Sequence, residues 1–321
     1  MKKILSILLC AVMLACVMTS CENESGDSQS TSGTAKTTSA PVESVTSVTT
    51  DAQPNANPAS DFEYAKTAGG DIKITRYIGQ GKDVVIPRLI DGKKVTELAF
   101  ITYSDNIVSI YIPDTVVKIG GSCFRNAARL ERVDLCEGLV EIGHHSFENC
   151  SALKEITIPS TVETIGDMAF SATGLESVTF KEGIEIVGGY GSFAQTKLKK
   201  VVLPASAKEI GHSAFSACSE LESVVLNEGL VKIGHKAFAN DPKLKEIVIP
   251  KTVKTVTEMD FNMCVGLEKI KFEGNAPESF EYSDTISGVW KPYDVHFTVY
   301  YHEGAEGFTT PEWYGYQTKV W

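Results

Sequence analysis

Histidine is the residue type in this chain that could most directly bind a metal ion, because three histidines occupy one position of a recurring pattern. These are His144, His212 and His235. A protein metal site needs three or four converging ligands, and only His212 and His235 come from neighbouring repeats. We therefore expect histidines at solvent-facing turns, and we predict no metal site and no cofactor.

Cysteine could form cross-links. Three cysteines share another position of the pattern, namely Cys150, Cys218 and Cys264. They come from repeats that lie two or more apart, and repeats stacked at about 5 Å would place their sulfur atoms beyond disulfide reach. Cys123 and Cys136 fall at other positions, and we assign no partner to either. The five cysteines after residue 21 do not form a disulfide framework.

Catalytic patterns are missing from the sequence. It contains no glycine-rich phosphate loop, no His-Glu zinc motif and no nucleophile elbow. The formal net charge is −11 without a basic stripe, which argues against binding to nucleic acid phosphates. We predict that the chain is not an enzyme, and we assign no catalytic residue.

The N-terminus predicts export. Lys2 and Lys3 precede an apolar run that ends near Met18, followed by Thr19, Ser20 and Cys21. A basic start, a short apolar stretch and small residues before a cleavage point are typical of a secretory signal, which we place at 1–20. Residues 18–21 resemble a bacterial lipobox, so Cys21 is the predicted lipidation site. Cys16 is an alternative acceptor, and a plain secreted protein is the alternative without a lipid.

Residues 21–60 are rich in Ser, Thr, Asn, Gln and Pro, with almost no large apolar side chains. Such a segment buries too little apolar surface to offset the entropy of ordering, so we predict a disordered linker. Together with the signal, it suggests a folded part tethered to the bacterial membrane at the cell surface.

A repeat of 23 residues, shortened once to 22, fills most of the remaining chain. Its leading residues are Ile107, Leu130, Leu153, Leu175, Leu198, Leu221, Leu244 and Leu267. Phenylalanine recurs at Phe124, Phe147, Phe170, Phe193, Phe215, Phe238 and Phe261. Each unit opens with alternating apolar residues, which predict a short half-buried strand, and continues through a turn to a Gly and then the Phe.

One unit cannot fold by itself. Burying about six apolar side chains at about 2 kcal/mol each contributes roughly 12 kcal/mol to the stability of a unit. Ordering the backbone costs about 1–2 kcal/mol per residue, and a unit has 23 residues, so the cost exceeds the gain. Stacked units pair their strands at about 4.8 Å and bring each Phe against the Phe of the next unit. We predict a solenoid with a parallel β-sheet on one face, short turns or helical segments on the other, about eight repeats and terminal caps.

The repeated order Leu-x-x-Val/Ile-x-Ile/Leu-Pro, followed by Ile-Gly-x-x-Ala/Ser-Phe-x-x-Cys, resembles the BspA-like leucine-rich repeats of bacterial surface proteins. The resemblance covers residues 84–275. It implies a leucine-rich repeat solenoid, a role in surface binding or adhesion and no catalytic residues. Its terminal Cys position implies that Cys150, Cys218 and Cys264 are buried small apolar side chains.

Domain boundaries follow from where the repeat begins and ends. We assign residues 61–106 to an N-terminal cap and first partial repeat, 107–275 to the leucine-rich repeats, and 276–321 to a C-terminal cap. The last segment holds Trp290, Trp313 and Trp321 with nine Phe and Tyr residues. A solenoid needs its open end covered, so we interpret these aromatics as cap core. A sugar-stacking platform is the alternative.

Two outward-facing columns run along the predicted sheet. The position after the leading residue alternates in charge through Glu131, Lys154, Glu176, Lys199, Glu222, Lys245 and Glu268, which either sets the strand register or forms a binding strip. The second column lies three residues after the charged position in each unit, and it contains three valines in succession. The candidate binding face there consists of Thr157, Thr179, Val202, Val225 and Val248.

The units also alternate in their turns. Pro113, Pro159, Pro204 and Pro250 mark odd units, and Glu137-Gly138, Glu182-Gly183 and Glu228-Gly229 mark even ones. A double unit of about 46 residues therefore underlies the single one. From these patterns we expect a lipid-anchored surface protein that binds another protein or adheres through its sheet face. The alternative is a carbohydrate-binding surface protein that uses the C-terminal aromatics.

Overall fold

A computed structural model of the chain describes residues 55–99, 106–278, 280 and 296–321. All of them belong to one unit, Ala52–Trp321, which has its own hydrophobic core. The predicted signal, the Cys21 site and nearly all of the predicted linker lie outside the described residues, as do Trp290 and Tyr293. In the described part, no helix is long and apolar enough to span a membrane.

Short strands make up almost all of the regular structure. In chain order they are β1 Phe62–Lys66, β2 Ile72–Tyr77, β3 Asp83–Val85, β4 Leu89–Ile90, β5 Lys93–Leu98, β6 Ser109–Ile112, β7 Lys118–Ile119, β8 Arg132–Leu135, β9 Glu141–Ile142, β10 Glu155–Ile158, β11 Thr164–Ile165, β12 Ser177–Phe180, β13 Ile186–Val187, β14 Lys200–Val202, β15 Glu209–Ile210, β16 Ser223–Val225, β17 Lys232–Ile233, β18 Glu246–Ile249, β19 Lys269–Phe272, β20 Thr298–Tyr301, β21 Glu312–Trp313 and β22 Tyr316–Val320. The described helices are 3-10 turns at Ala59–Asp61 and Glu258–Phe261.

The strands form two parallel ribbons around a solenoid of about ten turns. The first ribbon holds the strand predicted at the start of each repeat, from β3 through β6, β8, β10, β12, β14, β16 and β18 to β19, β20 and β22. The second ribbon begins with the longer strands β2 and β5 and continues with the two-residue strands that follow the Pro or Glu-Gly turn, in the orders β2-β5-β7-β9-β11 and β13-β15-β17. The predicted solenoid is confirmed. The second ribbon was not predicted.

The third side of each coil is a turn region held by backbone hydrogen bonds to the following coil. The N–H of Phe147 donates to the carbonyl of Ala169 at 2.7 Å, and the N–H of Phe170 donates to that of Ser192 at 2.7 Å. Two positions in most of these turns have left-handed backbone. The position two residues after the Phe has this conformation in seven coils, at Asn126, Asn149, Ala172, Gln195, Ala217, Asn240 and Met263.

The phenylalanine column forms the centre of the core. The stacked rings from Phe124 to Phe261 have centroids 5.0–6.2 Å apart and interplanar angles of 2–13°. All seven side chains are fully buried. Offset stacking of this kind adds about 0.5–1.5 kcal/mol per pair beyond the buried area. The predicted contact between successive phenylalanines is confirmed.

The recurring glycine before the Phe allows two coils to approach closely. A Cβ atom on Gly211 would lie 2.0 Å from the carbonyl oxygen of Gly188, and one on Gly166 would lie 2.5 Å from the amide nitrogen of His144. A side chain would therefore push the coils apart. Contact between coils is therefore the reason that this position is a glycine.

The first ribbon is interrupted after the second, fourth and sixth units. Backbone pairing joins β6 to β8, β10 to β12, β14 to β16 and β18 to β19, whereas β8 and β10, β12 and β14, and β16 and β18 belong to different sheets. Each paired set consists of a Pro unit followed by a Glu-Gly unit. The double repeat of the sequence is thus a double repeat of strand pairing.

Side-chain hydrogen bonds cross the interruptions between paired sets. The N–H of Gly138 donates to Thr161 Oγ1 at 2.9 Å, and that hydroxyl donates to the carbonyl of Leu139 at 2.7 Å. The Glu137 carboxylate accepts bonds from the N–H and the hydroxyl of Ser160. The same hydroxyl bridge recurs at Ser206 and at Thr252.

At the C-terminal end, the first ribbon continues beyond the last repeat. Strand β20 pairs in parallel with β19, and β22 pairs in parallel with β20. The short strand β21 then pairs with β22 in the antiparallel direction. The residues that we assigned to the C-terminal cap therefore add strands to the solenoid. The domain boundaries themselves stay a prediction.

Candidate binding face

The candidate face is built by alternation along the strands of the first ribbon. Val201 and Val224 point inward and are 0 % and 8 % exposed, whereas Val202 and Val225 point outward and are 46 % and 45 % exposed. Thr157 and Thr179 are exposed as well, and Val248 is half-buried. We call the set Thr157, Thr179, Val202, Val225 and Val248 the valine strip. These residues lie in one column, as the sequence predicts, and their role in binding stays a proposal.

A column of alternating charge runs beside the valine strip. The column begins at Glu131, and we call its next six members, Lys154, Glu176, Lys199, Glu222, Lys245 and Glu268, the charge ladder. All six residues are exposed. Within the described residues, two members of the ladder form an ion pair with each other, namely Lys154 and Glu176 at 3.3 Å. The other four charged groups face solvent and form no such ion pair with any described residue.

The second ribbon carries its own alternating charges, which the sequence analysis did not single out. Lys118 and Glu141 form an ion pair at 2.8 Å, and Glu209 and Lys232 form one at 2.6 Å. Strands of two residues are too short for an alternating pattern to identify them. The repeated pair that ends in Ile or Val, as in Lys118-Ile119, is the signal that could have revealed this ribbon.

The histidine column lies on the turn side of the coils. The rings of His212 and His235 have centroids 6.4 Å apart. Burial lowers the pKa of His235 below its ordinary value, and the charges of Lys236 and His212 lower it further. His144 lies against Gly121 in the preceding coil. Among the described residues, no group of three or more His, Cys, Asp or Glu is placed to hold a metal ion.

The three cysteines of the repeat act as buried hydrogen-bond donors. The thiols of Cys150, Cys218 and Cys264 donate to the Phe carbonyl of the preceding coil at 3.2, 3.3 and 2.9 Å. Burial raises the pKa of Cys150 to about 12. All three are free and fully buried, which confirms the prediction for this column.

A buried carboxyl group replaces the thiol in one coil. Asp241 is 0 % exposed and accepts the N–H of Cys218 at 2.7 Å, while its second oxygen has no hydrogen-bond partner in the described part of the chain. Burial raises the pKa of Asp241 well above its ordinary value. Its place three residues after Phe238, the repeat position of the buried cysteines, is the signal in the sequence that could have revealed this burial.

The C-terminal aromatics are mostly core residues. Trp313 is 5 % exposed and packs against Phe272, Phe280 and Phe308 at centroid distances of 4.9–5.8 Å. Trp321 is 42 % exposed. Its ring stacks on that of His302 at 4.7 Å and lies 4.9 Å from the ammonium group of Lys271.

The repeats also match a known family by sequence. Residues 93–191 and 189–287 match the profile described as BspA type Leucine rich repeat region, in six copies. Together these segments cover more than half of the sequence. The chain belongs to the BspA-type leucine-rich repeat family. The resemblance noted in the sequence is confirmed, and proteins built from such repeats generally act through protein–protein interaction without catalysis.

Several solved structures are similar to this BspA-type chain. The leucine-rich repeat protein of T. pallidum is 29 % identical, with 70 % of this chain and 84 % of that chain covered and a TM-score of 0.41. A leucine-rich cell surface protein of Faecalibacterium prausnitzii is 20 % identical, with 68 % and 88 % covered and a TM-score of 0.37. The pneumococcal vaccine antigen PcpA is 21 % identical, with 74 % and 77 % covered and a TM-score of 0.42. A comparison with curated proteins found no match.

Proposed function

We propose that this BspA-type protein is exported to the bacterial cell surface and binds a protein ligand along the valine strip. The observation that carries the proposal is the outward exposure of Val202 and Val225 in the middle of the first ribbon. Exposed apolar side chains lined up on a fixed backbone lose little entropy on binding, and polar groups at their rim add specificity. Adhesion is the form that this binding would take at a cell surface.

A capture experiment tests the proposed surface. Residues 52–321 serve as bait for solubilised surface proteins of candidate partner cells, beside a variant with Val202, Val225 and Val248 changed to Lys. We expect the variant to lose the captured protein because three charges replace the apolar strip. Equal capture by both would remove the valine strip as the binding surface.

A matched control keeps the charge change and moves it to the second ribbon. Val117, Ile186 and Val231 are 42 %, 52 % and 40 % exposed there. Changing these three residues to Lys adds the same three charges. This variant should capture as much protein as the parent, which separates loss of the strip from a general effect of charge.

We propose further that Cys21 carries a lipid that anchors the chain to the membrane. The support is sequence alone, namely the basic and apolar start followed by small residues before Cys21. Metabolic labelling with a fatty acid should mark the parent and leave Cys21→Ala unlabelled. Label retained by Cys21→Ala and lost by Cys16→Ala would move the anchor to the alternative cysteine.

The carbohydrate alternative has less support. A sugar platform needs an open aromatic face, and Trp313 is buried while Trp321 lies between His302 and Lys271. A glycan array that shows binding lost on Trp321→Ala would favour this alternative over a protein ligand.

A further inference from the structure

The first ribbon has an outward face that is complementary to itself. The charge ladder contains six residues in six successive coils, with Lys and Glu in strict alternation. If a two-fold axis parallel to the strands passes between the coils of Lys199 and Glu222, each coil meets its counterpart in reverse order. Every Lys of one ladder then faces a Glu of the other. The contacts would be Lys199 with Glu222, Glu176 with Lys245, and Lys154 with Glu268.

The valine strip selects the same axis. Val202 and Val225 lie in the two coils on either side of it, so Val202 of each copy faces Val225 of the other, and these are the two most exposed valines of the strip. An axis one coil closer to the N-terminus would set both valines against threonines. An axis one coil closer to the C-terminus would set Val202 against Lys271. Apolar contact at the centre with charged pairs around it is the usual arrangement of a protein interface.

A third column adds an independent check. The residues after the ladder positions are Glu155, Ser177, Lys200, Ser223, Glu246 and Lys269. The same axis sets Glu155 against Lys269, and Lys200 and Glu246 against serines. Moving the axis by one coil toward the C-terminus would set Lys200 against Lys269. The charge ladder pairs opposite charges about any axis that lies between two coils, and the valine strip favours this one. With this axis, none of the three columns contains a pair of like charges.

We propose that this face binds the same face of a second copy of the chain, with the two solenoid axes antiparallel. The inference rests on the proposed function, because it uses the same surface and names its partner. A dimer whose two-fold axis runs parallel to the solenoid axis is less favourable. It would set the charge ladder of one copy against the valine strip of the other and bury charges without partners.

The size of the patch predicts a weak dimer. Six coils at about 4.8 Å and four residues at about 3.3 Å give a planar patch of roughly 400 Å² per copy. Two such patches lie at the low end of specific interfaces, where transient complexes are found. The net charge of −11 on each copy opposes association. At physiological salt, charges more than about 8 Å apart are largely screened, whereas contacts within the ladder are not.

Charge reversal at the centre tests the proposal. In a Lys199→Glu homodimer, the carboxylate introduced into each copy would meet Glu222 of the other, and in a Glu222→Lys homodimer two ammonium groups would meet. We expect each single variant to weaken the dimer at least about tenfold. An equimolar mixture of the two variants should restore it, because both central contacts of the mixed dimer are again between opposite charges.

Sedimentation equilibrium of residues 52–321 at about 0.5 mM provides the measurement, in the range of weak interfaces. Lys254→Glu makes the same change of net charge outside the face and should leave the dimer intact. A parent chain that sediments as a monomer, or a mixture that stays monomeric, would overturn the homodimer. If the monomeric parent still captures a foreign protein through the valine strip, the proposed function survives and only the identity of the partner is wrong.

Discussion

At the scale of single residues, the turn side of each coil imposes a backbone conformation that most side chains disfavour. Left-handed φ angles of 54–64° recur two residues after every Phe of the column. Asn occupies this position at Asn126, Asn149 and Asn240, where its short polar side chain tolerates the conformation. Ala occupies it at Ala172 and Ala217. These alanines are local sites of strain within an otherwise regular coil.

Replacing Ala217 with Asn should stabilise the protein by about 0.5–1 kcal/mol, because Asn adopts left-handed backbone at lower cost than Ala. The side chain would also stand beside Asn240, as Asn149 stands beside Asn126 with a hydrogen bond of 2.9 Å. Chemical denaturation followed by circular dichroism measures the change. Ala128→Asn is the control, since Ala128 is exposed and lacks a positive φ. An equal gain at both positions would contradict the explanation.

The buried carboxyl of Asp241 makes stability depend on pH. Because the folded protein raises its pKa, the folded state holds a proton that the unfolded state releases above about pH 4. The free energy of unfolding should therefore fall as pH rises from about 4 to the folded pKa, by at most about 1.4 kcal/mol per pH unit. Asp241→Asn should remove its part of this slope and be at least as stable as the parent at neutral pH, while buried Asp260, whose pKa is raised to about 7, keeps its own part.

Glu182 provides the comparison of opposite sign. The N–H groups of Ala205 and Ser206 hold the pKa of Glu182 below its ordinary value. This carboxylate stabilises the fold at neutral pH, and its contribution is lost as pH falls through the folded pKa. Glu182→Gln should therefore lower the free energy of unfolding at neutral pH and remove part of the acid-side slope of the profile. Denaturation series at several pH values separate the two effects. A profile of Asp241→Asn parallel to that of the parent would show that Asp241 is ionised in the fold.

At the scale of the elements, the double repeat has a structural cause. A Pro unit and the following Glu-Gly unit share a continuous backbone ladder, and the next ladder begins with a new Pro unit. The hydroxyl of Thr161, Ser206 or Thr252 bridges the interruption by accepting from a glycine N–H and donating to a carbonyl. Successive units are therefore joined alternately by backbone hydrogen bonds between strands and by the hydrogen bonds of these hydroxyl groups.

Thr161→Val should lower the free energy of unfolding by about 1–2 kcal/mol, because it leaves the N–H of Gly138 and the carbonyl of Leu139 without their partner. Thr115 provides a matched control. It occupies the equivalent position of an earlier Pro unit, and its buried hydroxyl has no hydrogen-bond partner among the described residues. Thr115→Val should be neutral or stabilising. Similar losses for both variants, measured by urea denaturation, would mean that the hydroxyl bridge contributes nothing.

At the scale of the whole molecule, the stack of phenylalanines joins the coils into one cooperative body. Each ring contacts its neighbours on both sides, so a coil in the middle supports two others. In a solenoid, the stability of a coil is the sum of its own terms and those of its two interfaces. Loss of a central ring should therefore affect both halves of the array.

Phe193→Ala should cost about 3–5 kcal/mol, because it opens a cavity in a closely packed column. We expect hydrogen exchange to accelerate in the coils on both sides of residue 193. Phe193→Leu keeps most of the volume and should retain most of the protection. Acceleration confined to the mutated coil would contradict cooperative stacking.

The sequence by itself determined the solenoid, the buried Phe and Cys columns and the outward position of Val202. These features depend on one period, and every coil imposes the same alternation of inward and outward side chains. The tertiary structure alone decided the second ribbon, the interruptions of the first, the bridge at Thr161 and the Asp241 oxygen that has no hydrogen-bond partner among the described residues. Those features arise from contacts between residues about one coil apart, where hydrogen-bond geometry and local packing select among side chains that the repeat pattern treats alike.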